Sequence, residues 1–478
     1  MSAADILSLL PMVILAGGIL LTLILIALRR SHLLIFTAAE IIILAAIVAA
    51  LLHLNQEPQI IGDIIVVDRF GLYYQILLLS ATLVISIFSY ISLERLFPDK
   101  RKEEYYVLLM LATLGSSMMV ISTHFISFFV SIEVLTISLY TLISYYRERD
   151  KAIEAGLKYL VLAAMSSAFL LFGMALIYAV SGQMSFHALF AVATNYSGSS
   201  NVMLIAGAGL MIVGIGFKLA LVPFHMWAPD VYEGASSPVS AFVATVSKGG
   251  VVALLLRFFT MTDLYRYQNV MLAFTVIALL SMLAGNLLAL QQRNVKRLLA
   301  YSSIAHLGYL LVAFIAGKGM GVQAATFYIT IYMLTILGAF GVVTILSKTD
   351  SEADGTEYYK GLFWRRPLLA ALFTLFLLSL AGIPLTAGFI GKYFLLTAGL
   401  GNRQWLLAFV LVASSVIGLF YYLRLIVTMI SQDEDYQKGL SPGIPSKGGL
   451  LTLMVLGILV LGLGLSPGWL IDLVRTLP

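Results

Sequence analysis

The 478-residue chain contains no cysteine. That absence excludes a disulfide scaffold, a cysteine nucleophile and thiolate ligation of zinc or iron–sulfur clusters. Charge is scarce as well: charged residues make up 11% of the chain against 60% hydrophobic, and mean hydropathy is +0.99. No soluble domain needs that much apolar surface, so the composition describes a polytopic membrane protein. The chain has no Walker A loop, no glycine fingerprint following a strand, and no haem or metal constellation. It is therefore expected to bind no nucleotide, carry no electrons and hold no cofactor or metal of its own. Met1–Leu10 carries Asp5 and no basic residue, so it lacks a signal-peptide n-region and the first apolar run is expected to be retained. The net charge of +5 is not a nucleic-acid signal, because the basic residues sit in short loops between apolar runs.

What is present is length in apolar runs. Runs long enough to span fall near 9–28, 33–54, 72–93, 105–122, 124–145, 153–180, 202–222, 238–258, 269–290, 295–316, 321–346, 368–400, 405–430 and 450–471. The expectation is an all-α polytopic membrane protein with fourteen transmembrane helices. An even count puts both termini on one side. The loops after runs one, three, five, nine, eleven and thirteen hold eighteen basic residues, Lys100 and Lys438 among them, and the opposite face holds five. The positive-inside rule then places both termini on the external side.

Beyond the residues counted in the loops, six basic residues fall inside runs: Lys158, Lys218, Lys248, Arg257, Lys392 and Arg424. Arg257 and Arg424 are near enough to run ends to snorkel, and Arg257 is read as structural. Lys158 lies about two turns in from Lys151. Pro223 follows Lys218 and should open or kink the seventh run just after the lysine. Pro238 suits a first helical turn with Ser236 or Ser237 as cap. Lys248, ten residues further, then lies roughly 15 Å deep, near the bilayer midplane. The twelfth run is interrupted by Gly382-Ile-Pro384-Leu-Thr-Ala-Gly388 before Lys392. A lysine in mid-membrane costs on the order of 3 kcal/mol unless partnered or wetted, so its default reading is functional; the bland reading is an ion pair pinning helices. Glu133 is roughly 14 Å past His124, at similar depth, and Glu40 is shallower. Of the histidines, His225 follows the seventh-run break and His306 is about 18 Å into the tenth run.

These polar positions recur. Glu133 and His306 lie 173 residues apart, Lys218 and Lys392 174, Lys248 and Arg424 176, while the breaks at Pro223 and Pro384 match less closely at 161. The period contains five helices, an odd number, so the second unit must enter the membrane upside down. Inverted repeats with broken helices facing a midplane polar path are the architecture of ion carriers. The organisation expected is residues 1–104 with the first three helices, 105–260 as a first five-helix unit (helices 4–8), 268–432 as its inverted copy (helices 9–13), and 448–478 with the last helix.

The blocks Gly156-Leu-Lys158-Tyr…Ser166-Ser167, Gly216-Phe-Lys218-Leu-Ala-Leu-Val-Pro223-Phe-His225-Met-Trp-Ala-Pro229-Asp230, Ala244-Thr-Val-Ser-Lys248, Asn294-Val-Lys296-Arg…Tyr301-Ser302-Ser303-Ile-Ala-His306 and Leu380-Ala-Gly-Ile-Pro384…Lys392 resemble the antiporter-like membrane subunits of respiratory complex I, most closely their chain N (subunit 2) type. The resemblance covers essentially the whole chain. It implies a proton-translocating subunit of a NADH:quinone oxidoreductase in a bacterial plasma membrane. By that resemblance Glu133 and Lys218 form a pair, Lys248 and Lys392 continue a hydrated axis, and Lys158 and His225 are auxiliary members. It also implies NADH, flavin, iron–sulfur clusters and quinone on other subunits, with neighbouring antiporter-like chains, small helical subunits and lipids as partners. One departure is Gly249-Gly250 after Lys248, expected to loosen that helix. His306 and waters are expected to pass a proton from Lys248 to Lys392. The rival readings are a subunit of a multisubunit cation/proton antiporter, and a scaffold whose charges only lock helices.

Overall fold

The computed structural model describes residues 3–96, 101–193, 199–348, 351–431 and 446–477. Lys100 and Lys438 of the orientation argument, and the 432 boundary of the second unit, lie outside the described residues. Among the described residues, twelve helices are long and apolar enough to cross a membrane. Two of the expected runs are represented by shorter helices. Run 105–122 is Glu104–Val120, and run 368–400 is split into Pro367–Ala381 and Ala387–Gly401. The chain is not wholly helical: Gln59–Ile61 and Ile65–Val67 pair as a small antiparallel hairpin between the second and third runs.

Burial sorts the helices into a centre and a periphery. The Ser237–Thr262, Val295–Ala316 and Met320–Leu346 helices are almost completely covered by the rest of the chain, whereas Leu10–Leu28, His32–His53 and Asp150–Ser181 present much of their surface outward. Met320–Leu346 touches Arg69–Leu96, Val295–Ala316, Pro367–Ala381, Ala387–Gly401 and Lys447–Leu465, which makes it the spine. A helix that is apolar all round is tolerated at the periphery because lipid covers it. The same hydrophobicity in the three central helices is interrupted by the chain's polar side chains, which the surrounding protein has to satisfy.

Both expected breaks occur. The Ser199–Leu219 helix ends one residue after Lys218, and the chain restarts as Trp227–Gly234. Backbone groups freed there find partners: Val222 N–H donates to Ser281 Oγ at 2.9 Å, and Trp227 Nε1 donates to the Phe217 carbonyl at 3.0 Å. That is the condition for irregular backbone at membrane depth. At the second break, a Cβ on Gly388 would collide with the Ser379 carbonyl oxygen, so only glycine lets the second half start against the first.

Pro238 lies in the first turn of Ser237–Thr262 and Ser236 occupies the cap position, but the serine side chain makes no capping bond. Instead the Glu352 carboxylate accepts from Ser237 N–H at 2.8 Å and from Ser237 Oγ at 2.9 Å. The loosening expected at Gly249-Gly250 is corrected too. Gly250 lets the helix approach the Ser116 backbone, where a Cβ would stand 3.2 Å from its carbonyl oxygen. The irregularity falls one turn earlier, in a π-helical segment over Val243–Ser247.

Both arginines near run ends find partners within the chain. Arg257 is buried and makes a two-pronged ion pair with Asp68, at 2.8 and 2.6 Å, with Nε donating to the Val120 carbonyl at 2.8 Å. Burial alone pushes the Asp68 carboxyl up, but the Arg257 guanidinium and the Gly71 N–H outweigh it and hold the pKa below the usual carboxylate value. Arg424 reaches the Leu290 and Gln292 carbonyls at 2.8 and 2.7 Å, closing the C-terminal end of Gln268–Leu290.

Candidate functional site

Three lysines stand close to where their helices are interrupted. Lys218, buried in the last turn before its break, donates to Thr136 Oγ1 and lies 3.5 Å from Tyr159 OH, with that ring centroid 5.4 Å away. Thr136 lies three residues from Glu133 on the Phe125–Ile143 helix, so the two share a face. Glu133 is half-buried and accepts from Ser167 Oγ. Glu133 and Lys218 thus lie near each other without a direct hydrogen bond among the described residues. The two charges are electrostatic neighbours, but Ser167 and Thr136 take their hydrogen bonds.

Lys248 is completely buried and donates to Ser303 Oγ at 2.6 Å. Tyr332 OH donates to the same oxygen at 2.6 Å, and the Tyr232 ring lies 5.7 Å from the ammonium. One turn beyond Ser303, His306 bonds Tyr328 OH through Nδ1 at 2.7 Å and Tyr422 OH through Nε2 at 3.3 Å. Tyr422 also meets Ser302. Lys248 and Lys392 are the charged neighbours of His306. Lys392, half-buried, donates to the Ala381 carbonyl at 2.9 Å and lies 5.1 Å from the Tyr309 ring centroid. That carbonyl belongs to the last residue of Pro367–Ala381, so the negative end of one half-helix holds the ammonium projecting from the other.

The structure thus gathers the expected residues into two buried clusters. Glu133, Ser167, Thr136, Tyr159 and Lys218 form one; Lys248, Ser303, Tyr332, His306, Tyr328 and Tyr422 form the other, with Lys392 beside His306. Among the described residues no direct hydrogen bond joins the two.

Lys158 is in neither. Successive helical residues point about 100° apart, so Tyr159 faces Lys218 while Lys158 faces outward. It pairs with Asp230 and Glu154, each at 2.7 Å. Arg297 bridges Asp230 and Glu233 at 2.7 and 2.9 Å, and Lys151 meets Glu233 at 2.8 Å, around a cavity of about 220 Å³. Burial opposes ionisation of Asp230 and Glu233, but the ammonium and guanidinium groups outweigh it and hold both below their ordinary range. His225 is buried in the segment between the half-helices. Among the described residues, no hydrogen bond from its side chain joins it to either cluster.

The hydroxyl partners are additions to the expected set. Ser303 is one turn from His306 on the same helix face, a spacing visible in sequence. Tyr328, Tyr332 and Tyr422 come from other helices and carry no local signal. Lys296, a loop charge in the basic-residue count, is fully buried, donating to Glu352 at 2.5 Å and to the Ala235 carbonyl at 2.6 Å.

A family model described as NADH:quinone oxidoreductase/Mrp antiporter, TM, matches residues 122–418, which hold every member of both clusters except Tyr422. The NADH-quinone oxidoreductase subunit N of Ectopseudomonas mendocina (strain ymp) is 44% identical over 416 residues, covering 86% of this chain and 83% of that one. A chain of respiratory complex I from Thermus thermophilus, solved with bound aureothin, superposes with a TM-score of 0.83 at 31% identity over 97% of this chain and 98% of its own. A chain of the Mrp complex from Dietzia sp. DQ12-45-1b superposes at 0.86 with 21% identity, over 100% of this chain and 97% of that one, and so shares the fold. With lysines at both helix breaks and a match of this extent, the chain belongs to the NADH:quinone oxidoreductase/Mrp antiporter transmembrane family, among its NADH-quinone oxidoreductase subunit N members.

Proposed function

We propose that this chain, a proton-translocating membrane-arm subunit, moves protons through the two buried clusters, driven by redox chemistry in partner subunits. The observation that carries the reading is the Lys248–Ser303–Tyr332 contact, one turn from His306 and its two tyrosines. Hydroxyl and imidazole groups donate and accept, so a proton can be handed along them without moving a heavy ion. Lys218, near Glu133 and bonded to Thr136, receives the proton and passes it toward Lys248 in one half-channel; from there His306 and water pass it to Lys392 in the other. The two half-channels correspond to inverted units 105–260 and 268–432 of a fourteen-helix subunit with external termini in a bacterial plasma membrane. NADH, flavin, iron–sulfur clusters and quinone reside on other subunits, and neighbouring antiporter-like chains and small helical subunits flank this one. Lys158 and His225 serve the first half-channel from its charged mouth and its break.

The scale is consistent. Moving one charge through 100 mV takes about 2.3 kcal/mol, comparable to rearranging one partly buried ion pair. The cation/proton antiporter alternative rests on shared fold at 21% identity, against 44% for subunit N. Lys218→Ala and Glu133→Ala are expected to abolish coupled pumping in an assembled complex, measured as proton uptake into inverted vesicles during NADH oxidation. Normal translocation in either variant overturns the proposal.

A further inference from the structure

Glu352 has no part in the path above, yet its buried carboxylate touches the beginnings of three helices at once. Oε1 accepts from Ser237 N–H and Oγ at 2.8 and 2.9 Å. Oε2 accepts from Lys296 Nζ at 2.5 Å, and Arg149 Nη1 lies 3.8 Å away. Arg149 precedes Asp150–Ser181, Ser237 opens Ser237–Thr262, and Lys296 is in the first turn of Val295–Ala316. Those helices carry Tyr159 and Ser167, Lys248, and Ser303 with His306. Helix N-termini favour an anion, and here three converge on one.

We propose that Glu352 is a positioning residue that sets the Lys248–Ser303 contact by holding the first turns of the two helices that carry it, and ties the Lys218 side to the same anchor through Arg149. From Ser237 to Lys248 is roughly 16 Å of helix, and from Val295 to Ser303 roughly 12 Å, at 1.5 Å per residue. Both helices are sheathed by protein, so a slide at their starts is transmitted to the Nζ–Oγ contact. A buried ion pair adds little net stability over apolar residues of the same volume. Placement is therefore what this one supplies. Burial pushes the Glu352 carboxyl up, but Lys296 and the Ser237 N–H outweigh it, so its pKa lies below the ordinary glutamate value.

The inference rests on the proton path proposed above, so Lys248→Ala is measured alongside. Protons translocated per NADH oxidised are recorded for intact, assembled complexes carrying Glu352→Gln, Glu352→Asp and the pair Glu352→Gln with Lys296→Met. Glu352→Gln keeps the shape and loses the charge; its ratio is expected to fall about tenfold or more, the scale of a misplacement near 1 Å. Glu352→Asp is expected to recover most of it. The neutralised pair is expected to regain heat stability while its ratio stays low. A wild-type ratio in Glu352→Gln, or full recovery in the neutralised pair, overturns the proposal. If Lys248→Ala itself pumps normally, the path fails; if it is defective and Glu352→Gln is normal, only the positioning role fails.

Discussion

Ser303→Ala is the sharpest single perturbation of the buried line. The Ser303 hydroxyl oxygen accepts from Lys248 Nζ and from Tyr332 OH, both at 2.6 Å, and it is completely buried. Alanine removes both contacts and adds no bulk. A hydrogen bond to a charged group contributes about 1.5–3 kcal/mol, and one between neutral groups about 0.5–1.5. The charged bond alone is therefore worth roughly ten- to a hundredfold in any step that moves a proton between Lys248 and the His306 side. The assay is proton uptake by inverted vesicles, normalised to NADH oxidation and to the amount of assembled complex. A drop of about tenfold or more in uptake is expected. Thr344→Ala is the control, because that buried hydroxyl bonds its own helix at the Phe340 carbonyl, at 2.9 Å, away from both clusters. Ser303→Ala pumping at the wild-type ratio would refute the assignment of this contact to the path.

Two further outcomes follow from the geometry. Asp68→Asn leaves Arg257 buried without its counter-charge and is expected to cost about 3–5 kcal/mol of stability, read by thermal inactivation of the complex, with Asp68→Asn plus Arg257→Met recovering most of it. The native pair has a matching pH signature. The Asp68 pKa is lowered in the folded state, so its contribution is present above the unfolded value of about 3.9 and is lost as pH falls through the folded one. Gly388→Ala drives a Cβ into the Ser379 carbonyl, so assembled complex on native gels is expected to fall sharply, whereas Gly448→Ala, where nothing lies within 4 Å, is expected to be neutral.

The lysines and the breaks are legible in sequence because each is a local violation of a strong rule. An ammonium within twenty apolar residues, or a proline shortly after one, has few bland explanations. The partners are not legible, since Ser303 and Tyr332 meet Lys248 only after three separate helices pack together. Asp68 and Arg257 are 189 residues apart and pair across the fold. Lys296 shows how counting misleads. Its basic neighbours suggest a loop, although Asn294 accepts from Arg297 N–H as a helix cap, which puts Lys296 inside the helix and its side chain against Glu352. Lys158 shows another limit: its place about two turns into the run does not reveal that its helix is peripheral and that the side chain faces carboxylates in a polar cavity.

Lys218, Lys248 and Lys392 are held in three different ways, and the difference orders them. Lys218 has a nearby carboxylate and sits at the C-terminal, negative end of a half-helix. Lys392 takes the terminal carbonyl of the preceding half-helix and an aromatic face. Among the described residues, Lys248 has neither a helix end nor a carboxylate in hydrogen-bond contact, only Ser303, the Tyr232 ring and a π-turn before it. A charge at 248 is thus stabilised by neutral groups alone, while the positions on either side offer fixed negative partial or full charge. On the proposed path, any change that strengthens the hold at Lys218 or at Lys392 draws the proton off Lys248 in that direction. The breaks in the two helices, by supplying carbonyl ends at membrane depth, are what make such a gradient possible without placing a carboxylate beside every lysine.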